Sequence, residues 1–394
     1  MDRMRLRHLI PCLALAAGLC LSLPHAALAA QATAAPNPAA KKTATPKPDA
    51  KKATATPLPK EYRDYSKALA YVKKNKPQEV NLGSVRYKPT QLLSILNAMD
   101  KNGTLIFTTT WGGVTFSNTS KKVDLREIKA TVSKAELEAI IKVCPQVKAI
   151  DNTGKLSPSN DVMIPLMEKY PDIEFDWMIN IRKEHYIASN ATAYSTFNQP
   201  SKGTKLRSKD LEVLKYCKNL KALDLGHNAI TSLSFLKYCP DMEFLILSEN
   251  KITSVKPLKN LKHLKYLEIF TNQITDISAL EACTELLDLN ICNNPILDLK
   301  PLEKITTLER LWANHCQVKE GYKVTQTLSD AQIKRFKKLH PSCQVDFTGP
   351  HPTCGTWRFL KKGYKHPRYE HYLWCLRNGR WIPFDQPLPT RKNK

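Results

Sequence analysis

Beyond its first 30 residues this 394-residue chain has no run approaching the roughly 18 apolar residues of a membrane-crossing helix, so no such helix is expected there. Catalytic signatures are missing too. His185, His227, His263, His315, His340, His351, His366 and His371 are scattered, and no nucleophile motif, phosphate-cradling glycine loop or paired-carboxylate signature accompanies them. No catalytic residue, metal or cofactor is therefore expected. The close cysteine spacing of a small disulfide scaffold is also lacking. Of 11 cysteines, all but Cys12 and Cys20 follow residue 29, and the odd remainder leaves at least one thiol free or paired elsewhere.

What is present is the 42% hydrophobic content of a folded protein and a formal charge of +24, which suggests an anionic partner if the charges cluster. Arg3, Arg5 and Arg7 precede about 16 mostly apolar residues and the small-x-small triplet Ala27, Leu28, Ala29. Residues 1–29 thus read as a secretory signal peptide cut before Ala30. A lipid anchor is disfavoured, because Cys20 follows Leu19 and Cys12 follows Pro11. Residues 30–60, rich in Ala, Pro, Lys and Thr, cannot offset the entropy of ordering and read as an extended linker. Its six Lys against Asp49 suit either a spacer along a polyanionic envelope or a solubilising tether.

From residue 206 to 320 the chain repeats itself. In the frame L-x-x-L-x-L-x-x-N-x-I the Asn falls at Asn228, Asn250, Asn272 and Asn294, each 22 residues after the last, and Cys316 takes the fifth place. Leu223, Leu245, Leu267, Leu289 and Leu311 recur in step. A 22-residue coil cannot bury its apolar edge alone, whereas stacked coils share one core. Leu-x-Leu supplies a short strand, and the Asn amide can satisfy turn backbone groups that would otherwise be buried unpaired. The pattern resembles the leucine-rich repeat family, most closely the short repeats of bacterial secreted proteins such as the internalins. The resemblance implies an α/β solenoid, right-handed, with a parallel sheet on its concave face and a role in binding other molecules.

On that face the third, fifth, seventh and eighth frame positions point away from the core. Phe244, Ile246, Tyr266, Phe270 and Trp312 would form an exposed apolar ridge with Asp224 and Glu268 beside it. Phe244, Ile246, Tyr266, Glu268, Phe270, Asn290 and Trp312 are the expected ligand-binding residues. The alternative is that the N-terminal units or the tail fold over this face.

Residues 61–205 read as divergent leucine-rich units carrying hairpins at 103–117 and 173–189, or as an independent α+β domain. Ser133 with Glu136, and Ser329 with Gln332, form capping boxes. The second opens a helix that, with the strand of "CQVDF", makes residues 321–349 a C-terminal cap. The last 45 residues are basic and aromatic, with ten Lys or Arg against Glu370 and Asp385, while residues 206–320 balance 15 against 15. Asn378-Gly379 predicts a capping hairpin, and "WCLRNGRW" around it faintly resembles a single unit of choline-binding cell-wall repeats. His351, Cys354, His371 and Cys375 have a spacing that could hold zinc. A disulfide among Cys343, Cys354 and Cys375 competes with that reading.

The sequence therefore points to a secreted, non-enzymatic recognition protein binding a protein or glycan on its concave face. An envelope polyanion binder acting through cationic termini is the alternative. A hydrolase sited in residues 61–205 or the tail is a third, and nucleic acid is not an expected partner.

Overall fold

The structure, a computed structural model, describes residues 56–197, 203–360 and 363–389. The expected signal peptide and the linker as far as residue 55 lie outside the described residues. Asp64 caps helix α1 (Tyr65–Asn75) by accepting the Lys67 N–H at 3.0 Å. Strand β1 (Glu79–Val85), helix α2 (Pro89–Ala98) and strands β2 (Thr104–Trp111) and β3 (Val114–Ser117) follow. β1 pairs with β2 in parallel, and β2 turns back on β3 through Gly112 and Gly113. Both glycines have positive φ, and a Cβ on Gly112 would stand 2.8 Å from Ile128.

Strand β4 (Lys122–Asp124), helix α3 (Lys134–Val143), strand β5 (Ala149–Asn152), helix α4 (Asn160–Lys169) and strands β6 (Glu174–Arg182) and β7 (His185–Ala188) form the next layer. β4, β5 and β6 are parallel, and β7 returns antiparallel to β6. Both sequence-predicted hairpins are thus formed. Of the capping box expected at α3, half is present: Ser133 accepts the Glu136 N–H at 3.2 Å. The Glu136 carboxylate instead takes the N–H and hydroxyl of Thr90, each at 3.0 Å, and ties α3 to α2.

A seven-stranded parallel sheet then carries the repeat. Its strands are β8 (Ala193–Ser195), β9 (Ala222–Asp224), β10 (Phe244–Ile246), β11 (Tyr266–Glu268), β12 (Asp288–Asn290) and β13 (Arg310–Trp312). Past β13 come the hairpin β14 (Gln317–Glu320) and β15 (Lys323–Thr327), helix α5 (Asp330–Leu339) and β16 (Gln344–Asp346), which completes the sheet beside β13. Leu223, Leu245, Leu267, Leu289 and Leu311 lie in register across five strands. Coil length decides the return path. A 22-residue coil has room only for a short 3₁₀ segment such as Ser234–Tyr238, whereas pairing of Lys122 with Ala149, 27 residues on, leaves room for the ten residues of α3.

The repeated Asn does the structural work expected of it. Asn272 accepts the Ile252 N–H at 3.0 Å and donates to the carbonyls of Leu247, Ile269 and Phe270 at 3.1, 3.0 and 3.3 Å. Asn250 and Asn294 repeat this, and Cys316 donates to the Ile291 carbonyl. Just before each, His227, Glu249, Thr271, Asn293 and His315 hold φ of 53 to 60°. Such conformations cost about 1–3 kcal/mol each for non-glycine residues and persist because the Asn bonds fix the turn. One apolar core runs from Ala68 to Phe336 and contains Cys217, Cys239 and Cys283 at their shared frame position. Ser329 caps α5, while the Gln332 amide bridges to Leu297 and Leu299 of the last coil rather than closing a box.

Candidate functional site

The frame aims alternate side chains of β9 to β13 onto the concave face, and the structure covers them. Residues after 350 cross the sheet and end in helix α6 (Pro367–Asn378) and the segment 379–389. Phe244, Ile246, Tyr266, Phe270, Cys292 and Trp312 form a second apolar cluster with Trp357, Tyr372, Cys375, Leu376, Trp381 and Ile382 of the tail. The expected exposed ridge is therefore corrected: Phe244 is 0% exposed, Tyr266 1% and Trp312 2%. The reason is aromatic packing. Phe244 stacks on Tyr266 at 4.5 Å and meets Tyr372 at 4.6 Å, and Trp312 meets Trp357 at 5.2 Å.

Covering this face also strips water from its charges, which must then find partners. Glu268, fully buried, accepts from the Tyr266 hydroxyl, from Trp357 Nε1 at 2.7 Å and from Arg358 at 2.8 Å. Asp288 forms a two-bond pair with Arg310, both at 2.7 Å, and a third bond with Arg368 at 2.6 Å. Arg310 also donates to the Trp357 carbonyl at 3.0 Å and lies 4.6 Å from the Trp357 ring. Asn290 donates to the Pro352 carbonyl at 2.8 Å, and Trp312 Nε1 to the Cys354 carbonyl at 3.0 Å. Burial, with the Glu268 charge beside it, pushes the Tyr266 hydroxyl well above its usual range and keeps it a neutral donor. Asp288, Arg310, Trp357, Arg358 and Arg368 were not singled out as site residues by sequence. The signal for three of them was present in the basic-aromatic spacing of the tail, but nothing there named their partners.

One expectation for the tail is overturned, and neither of the two alternatives weighed for its cysteines against free thiols is formed. Asn378-Gly379 does not make a hairpin: α6 runs through Asn378, and Gly379, at φ 63°, is its left-handed C-cap. Cys343, Cys354 and Cys375 are all free thiols. The Cys354 thiol donates to Asp346 at 3.1 Å, and Cys375 faces the Ile382 carbonyl. The residues with zinc-like spacing do not assemble, since His371 Nε2 bonds the Ile382 carbonyl at 2.7 Å. Among the described residues no group of three or more His, Cys, Asp or Glu is placed to hold a metal.

Between the cover and the N-terminal half of the face lies a small cavity. It measures about 90 Å³ and is walled by Asp224, Ile246, Ser248, Phe270, Arg358 and Tyr372, with Phe197, His227 and Leu373 also lining it. Asp224 accepts the Gly226 N–H at 3.0 Å and the Ser195 hydroxyl at 2.9 Å. Burial lifts its carboxyl above the usual aspartate range; those two bonds oppose the shift, and the Glu268 charge adds to it. Two of the seven predicted ligand residues, Ile246 and Phe270, border this cavity, whereas the other five lie wholly under the tail.

Comparison with known proteins identifies the repeat. Residues 240–282 match the family described as leucine-rich repeats (2 copies), and residues 216–233 match a single leucine-rich repeat. The chain carries leucine-rich repeats. Among solved structures, an internalin C2 of Listeria monocytogenes is similar at 26% identity over 42% of this chain and 76% of that one, with a TM-score of 0.29. A second internalin of the same organism is similar at 17% identity, over 70% and 69% of the two chains, with a TM-score of 0.32. A leucine-rich repeat protein of Leptospira interrogans is similar at 19%, over 70% and 74%, with a TM-score of 0.35. No curated protein matches the chain. No helix among the described residues is long and apolar enough to cross a membrane.

Proposed function

We propose that this is an exported, non-enzymatic recognition protein that binds a protein or glycan on the concave side of its leucine-rich repeats, with residues 61–205 serving as divergent units of the same solenoid. The observation that carries the reading is the concave face itself. Its outward positions hold aromatic and charged residues that the solenoid core does not need, and between them and the tail a small cavity remains at the Asp224–Phe270 end. Binding is assigned to that end and its rim, with Phe244, Tyr266, Glu268, Asn290 and Trp312 acting through the tail they hold in place. Against an enzyme stand the buried thiols: burial pushes Cys283 up to about 11 and Cys239 up to about 12, the opposite of an activated nucleophile. Retention of envelope proteins and arrayed glycans by the mature chain tests the reading. Phe270→Ala is expected to abolish retention without unfolding the chain. A retained partner indifferent to Phe270→Ala would place recognition elsewhere. N-terminal sequencing of exported material is expected to begin at Ala30.

A second contact is favoured by the outward charges of the tail. Arg358 and Arg368 are committed to Glu268 and Asp288, but Lys365, Arg377 and Arg380 are exposed. These suit an anionic envelope polymer. Such attraction is screened once the Debye length shrinks to a few ångströms, so it is expected to fall steeply by about 0.5 M salt. Association that resists salt would remove this contact.

A further inference from the structure

We infer that the cavity beside Asp224 receives a single alkylammonium group, the end of a lysine side chain of a partner protein. The inference rests on the proposed recognition role of the concave side and names what that side would recognise.

Charge sets the sign of the ligand. Asp224 and Glu268 are two carboxylates near one guanidinium, Arg358, and Arg358 is already bonded to Glu268 at 2.8 Å. Asp224 is the carboxylate of the two that no arginine bonds: among the described residues its partners are the Gly226 N–H and the Ser195 hydroxyl, and the Arg358 charge acts on it without bonding it, so it is the group open to a cation. A second observation points into the same space. Ser248 is 2% exposed and its hydroxyl, like Arg358 Nε and the Tyr372 hydroxyl on the same cavity, has no partner among the described residues, although buried polar groups are almost always bonded. It offers an acceptor to an incoming N–H. Phe270 and Tyr372 supply aromatic walls, which favour an organic cation over a hydrated metal ion.

Size sets the class. At about 90 Å³ the cavity is small, and an ammonium with its neighbouring methylenes fits it. A lysine reaches such a site on its flexible four-carbon stem, whereas the planar fork of arginine demands a wider slot. Phe197, 77% exposed, and the partly exposed Leu373 line the cavity too and suit the apolar stem.

Calorimetric titration of the full mature chain with methylammonium and with Nα-acetyl-lysine methylamide tests this, with acetate and glucosamine as controls. Saturable binding of both amines is expected, weakened about tenfold or more by Asp224→Asn and measurably by Ser248→Ala. The amide introduced by Asp224→Asn would retain an oxygen for the Gly226 N–H, so the variant is expected to melt no lower than the parent. Absence of saturable amine binding in a folded chain, amine binding unchanged by Asp224→Asn, or preferential binding of acetate or glucosamine would each overturn the inference. A chain that binds methylammonium yet retains no macromolecule would refute the broader proposal and, with it, the assignment of the ammonium to a partner protein. One that retains a protein yet ignores methylammonium would refute only this one.

Discussion

The leucine-rich coils and the tail that lies across them bury polar groups in opposite ways. In the coils each need is met close by: Asn272 bonds backbone groups two to 25 residues away, and Asn250 and Asn294 repeat the arrangement. Between the face and the tail the partners are distant, 89 residues from Glu268 to Trp357, 90 to Arg358, and 80 from Asp288 to Arg368. The first kind of order can propagate coil by coil. The second forms only after the sheet exists, because the tail has nothing to dock on until Asp288, Arg310 and Glu268 are aligned on adjacent strands.

The largest effect is expected from removing residues 350–394. That uncovers Phe244, Tyr266 and Trp312, each a burial of about 1.5–3 kcal/mol or more, and frees Asp288 of Arg368. The coils should still melt cooperatively, but the truncated chain should bind a hydrophobic dye and self-associate. A monomeric, dye-silent truncation would mean that the face does not depend on its cover.

Arg310→Ala comes next, at about 3–5 kcal/mol in urea unfolding, because it leaves Asp288 buried with Arg368 as its remaining cation. In the truncated chain the same substitution should cost much less, since water would then reach Asp288. Leu267→Ala at about 2–5 kcal/mol and Asn272→Ala at about 1–3 kcal/mol should instead cost the same with or without the tail, their partners lying inside the coils. Equal behaviour of both sets would erase the distinction.

The smallest effect concerns acid. His366 caps α6, and burial, together with the charges of Arg310 and Arg368, lowers its pKa from 6.5 to about 4. Folding thus favours the neutral ring, so its contribution is complete above about pH 6.5 and is lost as pH falls toward about 4. Dye binding to the intact chain should rise over that interval, and His366→Asn, which can still cap the helix, should flatten the rise. An unchanged profile would show that tail docking does not sense this histidine.

Much of the solenoid could be read from the chain because its cause is periodic. The 22-residue phase placed Leu267 in the core, Asn272 in the turn and Tyr266 on the face of the sheet away from that core, and the structure keeps these placements. The positive φ of Thr271 and its equivalents was not legible, since residues as different as His, Glu, Thr and Asn occupy that position. Asn378-Gly379 misled because an Asn-Gly pair suits a left-handed helix end as well as a hairpin turn, and only the preceding α6 decides between them.

The sequence by itself determined which side chains of each coil face inward and which face outward, because a three-residue strand alternates and an Asn-sealed turn fixes its phase. Only the tertiary structure decided what the outward residues meet. Whether Tyr266 and Glu268 face solvent or Trp357 and Arg358 depends on a segment 90 residues away whose own sequence has no period. Shape and charge matched across that distance leave no local pattern, because each partner satisfies ordinary propensities alone and acquires its role only when both surfaces lose water together.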